Sequence, residues 1–156
     1  MAKTKKQQIK EEIKFELIGV LLVGIAIYLF WIIFQKPSGP YPLPEESIGW
    51  LGQFLLRVLK GLTGQGKILV PLLLLINGLK IMYKRAIPNI FGFYVVQIIF
   101  LLTLLAVLHL RLPIEEQTII NGLKYGLGGG FLGGSICWLT MKIFGLFGSY
   151  ILLISI

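Results

Sequence analysis

Residues 17–34 carry no charged side chain over eighteen positions, and residues 90–108 carry none over nineteen. Such runs leave few folds open. A helix needs about 20 consecutive apolar residues to cross the hydrocarbon core of a bilayer. In lipid the backbone must satisfy its own N–H and C=O groups, which a helix does within itself. A soluble domain offers no comparable place for the runs. The chain has 156 residues, of which 56% are hydrophobic and 14% charged, with a mean hydropathy of +0.84. Only one face of each element of a soluble fold points inward, so much of that apolar surface would meet water. Both runs are therefore read as transmembrane helices. The first is not a signal peptide, because it is too long for an h-region and no small-x-small cleavage site precedes the next loop.

A second pattern sets the number of spans. Gly49-Trp-Leu-Gly52, reaching Gly64, recurs as Gly130-Phe-Leu-Gly133, reaching Gly145. Each of these three glycines maps onto its partner by adding 81 to its number. Each segment leads into a shorter apolar run, residues 68–79 and 146–156, and each follows one of the long runs. The reading is a duplicated unit: long span, outside loop, glycine-rich amphipathic stretch, second span. The expected fold is all-α and integral to the membrane. It has four transmembrane helices as two duplicated units, with glycine-rich amphipathic helices on the outer face.

The expected boundaries follow the composition. Residues 1–16 form a basic cytoplasmic tail, disordered over 1–8 and helical where it approaches the first span at 17–34. Four prolines in Lys36-Pro-Ser-Gly-Pro-Tyr-Pro-Leu-Pro44 end that helix. Residues 35–67 form an extracytoplasmic loop with an amphipathic helix over 47–61, capped by Ser47. Gln53, Arg57 and Lys60 share one face of that helix and leucine, valine and phenylalanine cover the rest. The second span covers 68–83, with Pro71 in its first turn, where a missing N–H is tolerated. A cytoplasmic loop over 84–89 leads to the third span at 90–110, started by Pro88. Residues 111–145 form the second outside loop with its glycine-rich amphipathic helix. The fourth span begins at 146. Residues 80–83, which close the second span, map to 161–164, beyond the last residue, so the chain is expected to be a piece of a longer protein.

Charge orients the spans. The formal net charge is +8. In a membrane protein, basic residues near span ends report the cytoplasmic side and lipid headgroups rather than nucleic acid. Lys5, Lys6, Lys10 and Lys14 in the tail, and Lys80, Lys84 and Arg85 around the short loop, are the expected topology anchors. They place the N-terminus inside.

The sequence offers little catalytic chemistry. Cys137 and His109 are each the only residue of their type, which excludes a disulfide framework and a His/Cys metal cluster. His109 reads as an interfacial side chain at the end of a span. Residues 61–68 approach a phosphate-binding P-loop, but Ile68 stands where a magnesium-binding Ser or Thr belongs, and no strand precedes it. Gly128, Gly130 and Gly133 match the dinucleotide spacing Gly-x-Gly-x-x-Gly, but no acid follows at the required distance. The adjacent pairs Glu45/Glu46 and Glu115/Glu116 read as solvated loop acids. No acid lies within a span, so an ion or proton relay has no support. No catalytic residue, cofactor or metal is expected.

Three segments together resemble a known family. Ile13-Lys-Phe-Glu-Leu-Ile-Gly19 leads into the first span. Gly49-x-x-Gly52, Gly64-x-Gly66, Pro71-Leu-Leu-Leu-Leu and Gly78 follow in order. Gly128-Gly-Gly130-x-x-Gly133 and Gly145-x-x-Gly148 close the chain. Their order and spacing, over about residues 13–156, resemble the membrane domain of FtsK/SpoIIIE DNA translocases. The resemblance implies a four-span N-terminal domain with both ends cytoplasmic, ahead of a linker and an ATPase motor that are not in this chain. The implied role is membrane anchoring, septum localisation and assembly for chromosome partition in cell division or sporulation, without ATPase activity of its own. The implied partners are the bilayer of the bacterial inner membrane, further copies of the chain and division-septum proteins, with DNA met only through the motor. The alternative is a small four-helix transporter or channel subunit. Small residues let helices approach closely in lipid, so Gly49, Gly52, Gly64, Gly130, Gly133, Gly145 and Gly148 are the expected packing and assembly positions. Asn77 is the expected interhelical hydrogen-bonding residue.

Overall fold

In the computed structural model, residues 5–35, 48–84 and 90–155 are described. They form six α-helices joined by turns, with no strand among them. Helix α1 spans Lys5–Phe34, α2 Gly49–Thr63, α3 Leu69–Lys84, α4 Ile90–Leu110, α5 Ile119–Tyr125 and α6 Gly130–Ser155. Among the described residues, four stretches are long and apolar enough to cross a membrane: Glu12–Phe34, Gly49–Tyr83, Gly92–Leu110 and Gly130–Leu153. Within the eighteen-residue apolar window of each, 22% of the residues are buried inside the protein, which leaves the others fully or partly at the surface. This is an all-helical architecture suited to a multi-pass membrane protein.

The helices pack chiefly as two pairs, α1 with α3 and α4 with α6. In the first, α1 crosses α3 where glycine meets glycine. A Cβ on Gly19 would lie 2.9 Å from the Gly78 carbonyl oxygen, and one on Gly78 would lie 3.0 Å from the Gly19 oxygen. In the second, α4 packs along α6. Ala106, Leu110, Cys137 and Leu153 form its buried core, with Val107, Ile136, Met141 and Tyr150 against it. Side chains join the two pairs. Asn77 of α3 donates from Nδ2 to Oε1 of Gln97 on α4 at 3.0 Å. The Lys80 ammonium sits 3.2 Å above the Phe93 ring centre, a cation–π contact that holds the charge where lipid would not.

Glycines break the two longest apolar stretches. A straight helix over Gly49–Tyr83 would be about 50 Å long, against a hydrocarbon core of about 30 Å. Gly64 stops it at φ 58°, ψ −126°, and a 3₁₀ turn over Gly64–Ile68 restarts the chain as α3. Gly52 then sits against Tyr28 and Ile32, while Gly66 sits against Leu105 and Leu108. The N-terminal end of α2 thus meets the C-terminal end of α1, the turn that follows α2 meets the last turns of α4, and the break at Gly64 keeps α2 from continuing the line of α3. In α6 the break is Gly145, at φ 68°, ψ −179°. Cys137 before it and Leu153 after it both pack on the last turns of α4.

Local details differ from the sequence reading. Residues 5–8 are helical rather than disordered, since α1 runs unbroken from Lys5 through the whole apolar run. The residue that caps α2 is Ile48, with no side-chain hydrogen bond, so the helix begins two residues later than expected. The glycine-rich region divides into α5 and the first half of α6. Ser47 itself, the proline-rich segment 36–44, the Glu45/Glu46 pair, Arg85 and Pro88 lie outside the described residues.

Candidate assembly site at the glycine junction

The turn that ends α2 and the turn between α5 and α6 meet backbone to backbone. The amide N–H of Gln65 donates to the carbonyl oxygen of Gly128 at 2.7 Å. A Cβ on Gly64 would lie 2.5 Å from the Gly130 nitrogen, and one on Gly130 would lie 2.6 Å from both the Gly64 nitrogen and the Leu62 oxygen. Real Cβ atoms do not come that close, so neither position has room for a side chain. Both glycines also have positive φ, 58° and 64°, a region that L-residues avoid. Two independent constraints therefore select glycine at each.

The contact spreads from there. Gly129 and Gly133 face the backbone of Leu105, where a Cβ would come within 2.6 Å and 2.8 Å of its carbonyl carbon. Gly61 on α2 faces the Leu123 oxygen of α5 at 3.2 Å, and Gly126 faces the Lys60 oxygen at 2.9 Å. Thr118 caps α5 by accepting from the Asn121 amide at 3.2 Å. Gly126, left-handed at φ 66°, closes it through a bond from its own N–H to the Gly122 oxygen. The orphan carbonyls at the end of α4 are also served. Gln117 Nε2 donates to Leu110 and Leu112 oxygens at 3.0 Å and 2.6 Å, and the Tyr150 hydroxyl donates to Leu110 oxygen at 2.8 Å.

His109 lies at the centre of this junction. It was expected at an interface, but it is fully buried. Gly122, Gly128 and Gly134 close around its ring, each placed so that a Cβ would come 3.1–3.2 Å from an imidazole atom. The ring faces the backbone of Gln117 and Leu127 without a hydrogen bond of good geometry to either nitrogen, and the Gln117 Oε1 is also unpartnered. The missing side chains of three glycines make the space that the ring fills.

The expected packing glycines separate into three groups. Gly52, Gly64, Gly130 and Gly133 make close contacts between elements. Gly49 and Gly145 face open space and serve backbone conformation, at φ 68° in both cases. Gly148 meets only Phe144 of its own helix. Asn77 of α3 is the residue that donates to Gln97 of α4. Of the basic anchors, Lys5, Lys6 and Lys10 fall in the first turns of α1, Lys14 is exposed and Lys84 ends α3. The sequence reading missed Gly61, Gly122, Gly126 and Gly134 as contact positions, and it missed the central place of His109.

Comparison with protein-family models, curated proteins and solved structures finds no match to this chain.

Among the described residues, no three His, Cys, Asp or Glu side chains are grouped closely enough to hold a metal ion. The P-loop-like segment 61–68 is the last turn of α2 and the 3₁₀ turn after it. Its glycines are engaged with α5, the α5–α6 turn and α4 rather than arranged around a phosphate. Lys67 is half-buried and takes part in none of these contacts, so Lys67→Ala is expected to change stability by no more than ~0.5 kcal/mol, the usual range away from special contacts. A melting curve in detergent checks this. A magnesium-dependent ATP affinity abolished by the same substitution would contradict it.

Proposed function

We propose that this chain is the membrane-anchoring, septum-localising and assembly domain of a DNA translocase of the FtsK/SpoIIIE type. The supporting observation is the ordered set of glycine motifs, whose members lie at turns and helix contacts. The duplicated-unit reading has geometric support of its own. Gly49 and Gly130 begin helices at φ 68° and 64°, and Gly64 and Gly145, 81 residues apart like the first pair, end fifteen-residue helical segments at φ 58° and 68°. A backbone conformation that favours glycine recurs at both pairs. In this reading α2 and the first half of α6 lie along the outer rim, while α1, α3, α4 and the last part of α6 span.

The chain anchors through its spans and brings its two halves together through the glycine junction. The N-terminus and the loop at 84–89 face the cytoplasm, where a motor following the fourth span would meet DNA. Sporulation and vegetative division both fit this role.

Two measurements test the proposal. A fluorescent fusion of the chain in a dividing rod-shaped bacterium is expected to concentrate at septa, whereas even labelling of the whole membrane contradicts the septal role. For topology, single cysteines at Thr4, Ser38, Asn89 and Glu115 in a Cys137→Ser background are expected to react with an impermeant thiol reagent from outside only at Ser38 and Glu115. Outside reaction at Asn89 overturns the orientation.

A further inference from the structure

Helices α2, α5 and α6 carry Arg57, Lys60, Lys124 and Lys142 and not one acidic residue. One of these cations, Arg57, lines a groove, and Lys60 and Lys124 each adjoin one of its lining residues in the chain. Arg57, Val58, Gly61 and Leu62 of α2 and Leu123 of α5 line a hollow of about 310 Å³. Lys60 is on the same helix, and its aliphatic stem is laid against Gly126, where a Cβ would come 3.0 Å from Lys60 Cε. Lys124 adjoins Leu123, with its ammonium 5.4 Å from the Tyr125 ring centre.

The groove floor is apolar and its surroundings are cationic. Val58, Leu62, Leu123 and Ile120 are all exposed. Trp50 at the start of α2 is 80% exposed and stacks with the exposed Phe54, as aromatic side chains do at the headgroup level of a bilayer. α2 and the turn after it sit at the C-terminal ends of α1 and α4, which is the depth of the headgroups if those helices span. A ligand matching this surface has an anionic head and an apolar tail.

We propose that the groove between α2 and α5 binds one acidic phospholipid, its phosphate at Arg57, Lys60 and Lys124 and an acyl chain along Val58, Leu62 and Leu123. The proposal rests on the membrane-spanning reading but not on the septal role. An exposed Arg or Lys facing an anionic membrane surface contributes about 1 kcal/mol, or about fivefold in affinity. Gly126 adds a specific element. By leaving room for the Lys60 stem, it holds that side chain between α2 and the end of α5, which lowers the entropy lost when the ammonium meets a phosphate.

Native mass spectrometry of the detergent-purified chain tests this with phosphatidylglycerol, phosphatidylcholine and the soluble headgroup glycerol phosphate. One phosphatidylglycerol is expected to be retained at detergent concentrations that strip phosphatidylcholine. Arg57→Gln and Lys60→Gln are each expected to weaken retention about fivefold. Leu123→Trp, which fills the groove without removing charge, is expected to weaken it as well. Lys142→Gln, which removes the same charge from beside Trp138 on α6, is expected to leave retention unchanged. Melting curves identify any variant that has lost its fold; for such a variant, Arg57→Lys, which keeps the charge, is expected to retain lipid. Equal retention of the two lipids overturns the proposal, as does equal loss in Lys142→Gln. Binding of glycerol phosphate as tight as that of the lipid overturns the acyl-chain part and leaves a simple phosphate site.

Discussion

Gly64→Ala is expected to destabilise the protein by ~3 kcal/mol or more, through the sum of a backbone penalty and an overpacking penalty. The added methyl group would meet the backbone of the α5–α6 turn, with the Gly130 nitrogen 2.5 Å away. Backbone on both sides of the contact leaves no flexible side chain to move aside. Relief requires the two turns to part, which also breaks the bond from Gln65 N–H to Gly128 oxygen. Two controls divide the effect. Gly145→Ala has a similar positive φ but no atom within 4 Å, so it is expected to lose only the backbone part, ~1–3 kcal/mol. Gly24→Ala lies in the regular helix α1 with open space around it, so it is expected to be neutral or stabilising by up to ~1 kcal/mol. Thermal unfolding of the three variants in one detergent should rank them in that order. Equal melting temperatures for Gly64→Ala and Gly145→Ala would show that contact between the turns contributes nothing.

Gly78→Leu is the second change with a large expected effect, and it acts on the pairing of α1 with α3. A Cβ at 78 would stand 2.8 Å from Val23 Cγ2, 3.0 Å from the Gly19 oxygen and 3.1 Å from the Val23 nitrogen. The rest of a leucine side chain has no room unless the helices separate. Helices in lipid gain little from burying apolar surface, so their association depends on such close approach. The expected loss is ~2–3 kcal/mol, with membrane insertion intact because leucine raises the hydropathy of the span. Gly92→Leu, in α4 with nothing within 4 Å of its Cβ position, is the matched control and should melt like the parent. Loss of membrane insertion in Gly78→Leu, or a normal melting temperature, would contradict the packing argument.

The sequence made the long apolar helices legible because uninterrupted apolar runs of that length favour few other structures. Uncharged runs of eighteen and nineteen residues correspond closely to the apolar part of α1 and to α4. The breaks were legible for a related reason. Clusters such as Gly61, Gly64 and Gly66 cannot favour an ordinary helix, and α2 does end within that cluster. The partner of each glycine was not legible. Gly49 and Gly52 share a motif, yet one faces open space and the other faces α1. A fixed spacing states which residues share a side of a helix, but not what lies opposite. That depends on the turn at Gly64, whose direction is set by two dihedral angles absent from any residue pattern.

His109 shows the same limit. A lone histidine at the end of an apolar run is most simply an interfacial side chain. Its burial comes from Gly122, Gly128 and Gly134, which lie 13, 19 and 25 positions further along the chain and converge only after α5 has folded back. The glycine density over 126–134 signalled a crowded backbone without naming the ring that occupies the space. The α2 cap failed for a smaller reason. Ser47 is a good capping residue by type, but the helix begins at Gly49, one position too late for it.

Cross-linking of the junction in intact membranes tests most directly the claim that the two halves are joined there. Gln65 is exposed and Leu127 half-buried, on opposite sides of the bond from Gln65 N–H to Gly128 oxygen. Cysteines at these two positions, in a Cys137→Ser background, should be bridged by a short bismaleimide. Peptide mass spectrometry of mixed isotope-labelled and unlabelled cells distinguishes links within a chain from links between chains. The account predicts efficient linking within single chains, and its loss when Gly64→Ala is added. Absence of the link in the parent, or linking that Gly64→Ala leaves untouched, would contradict it.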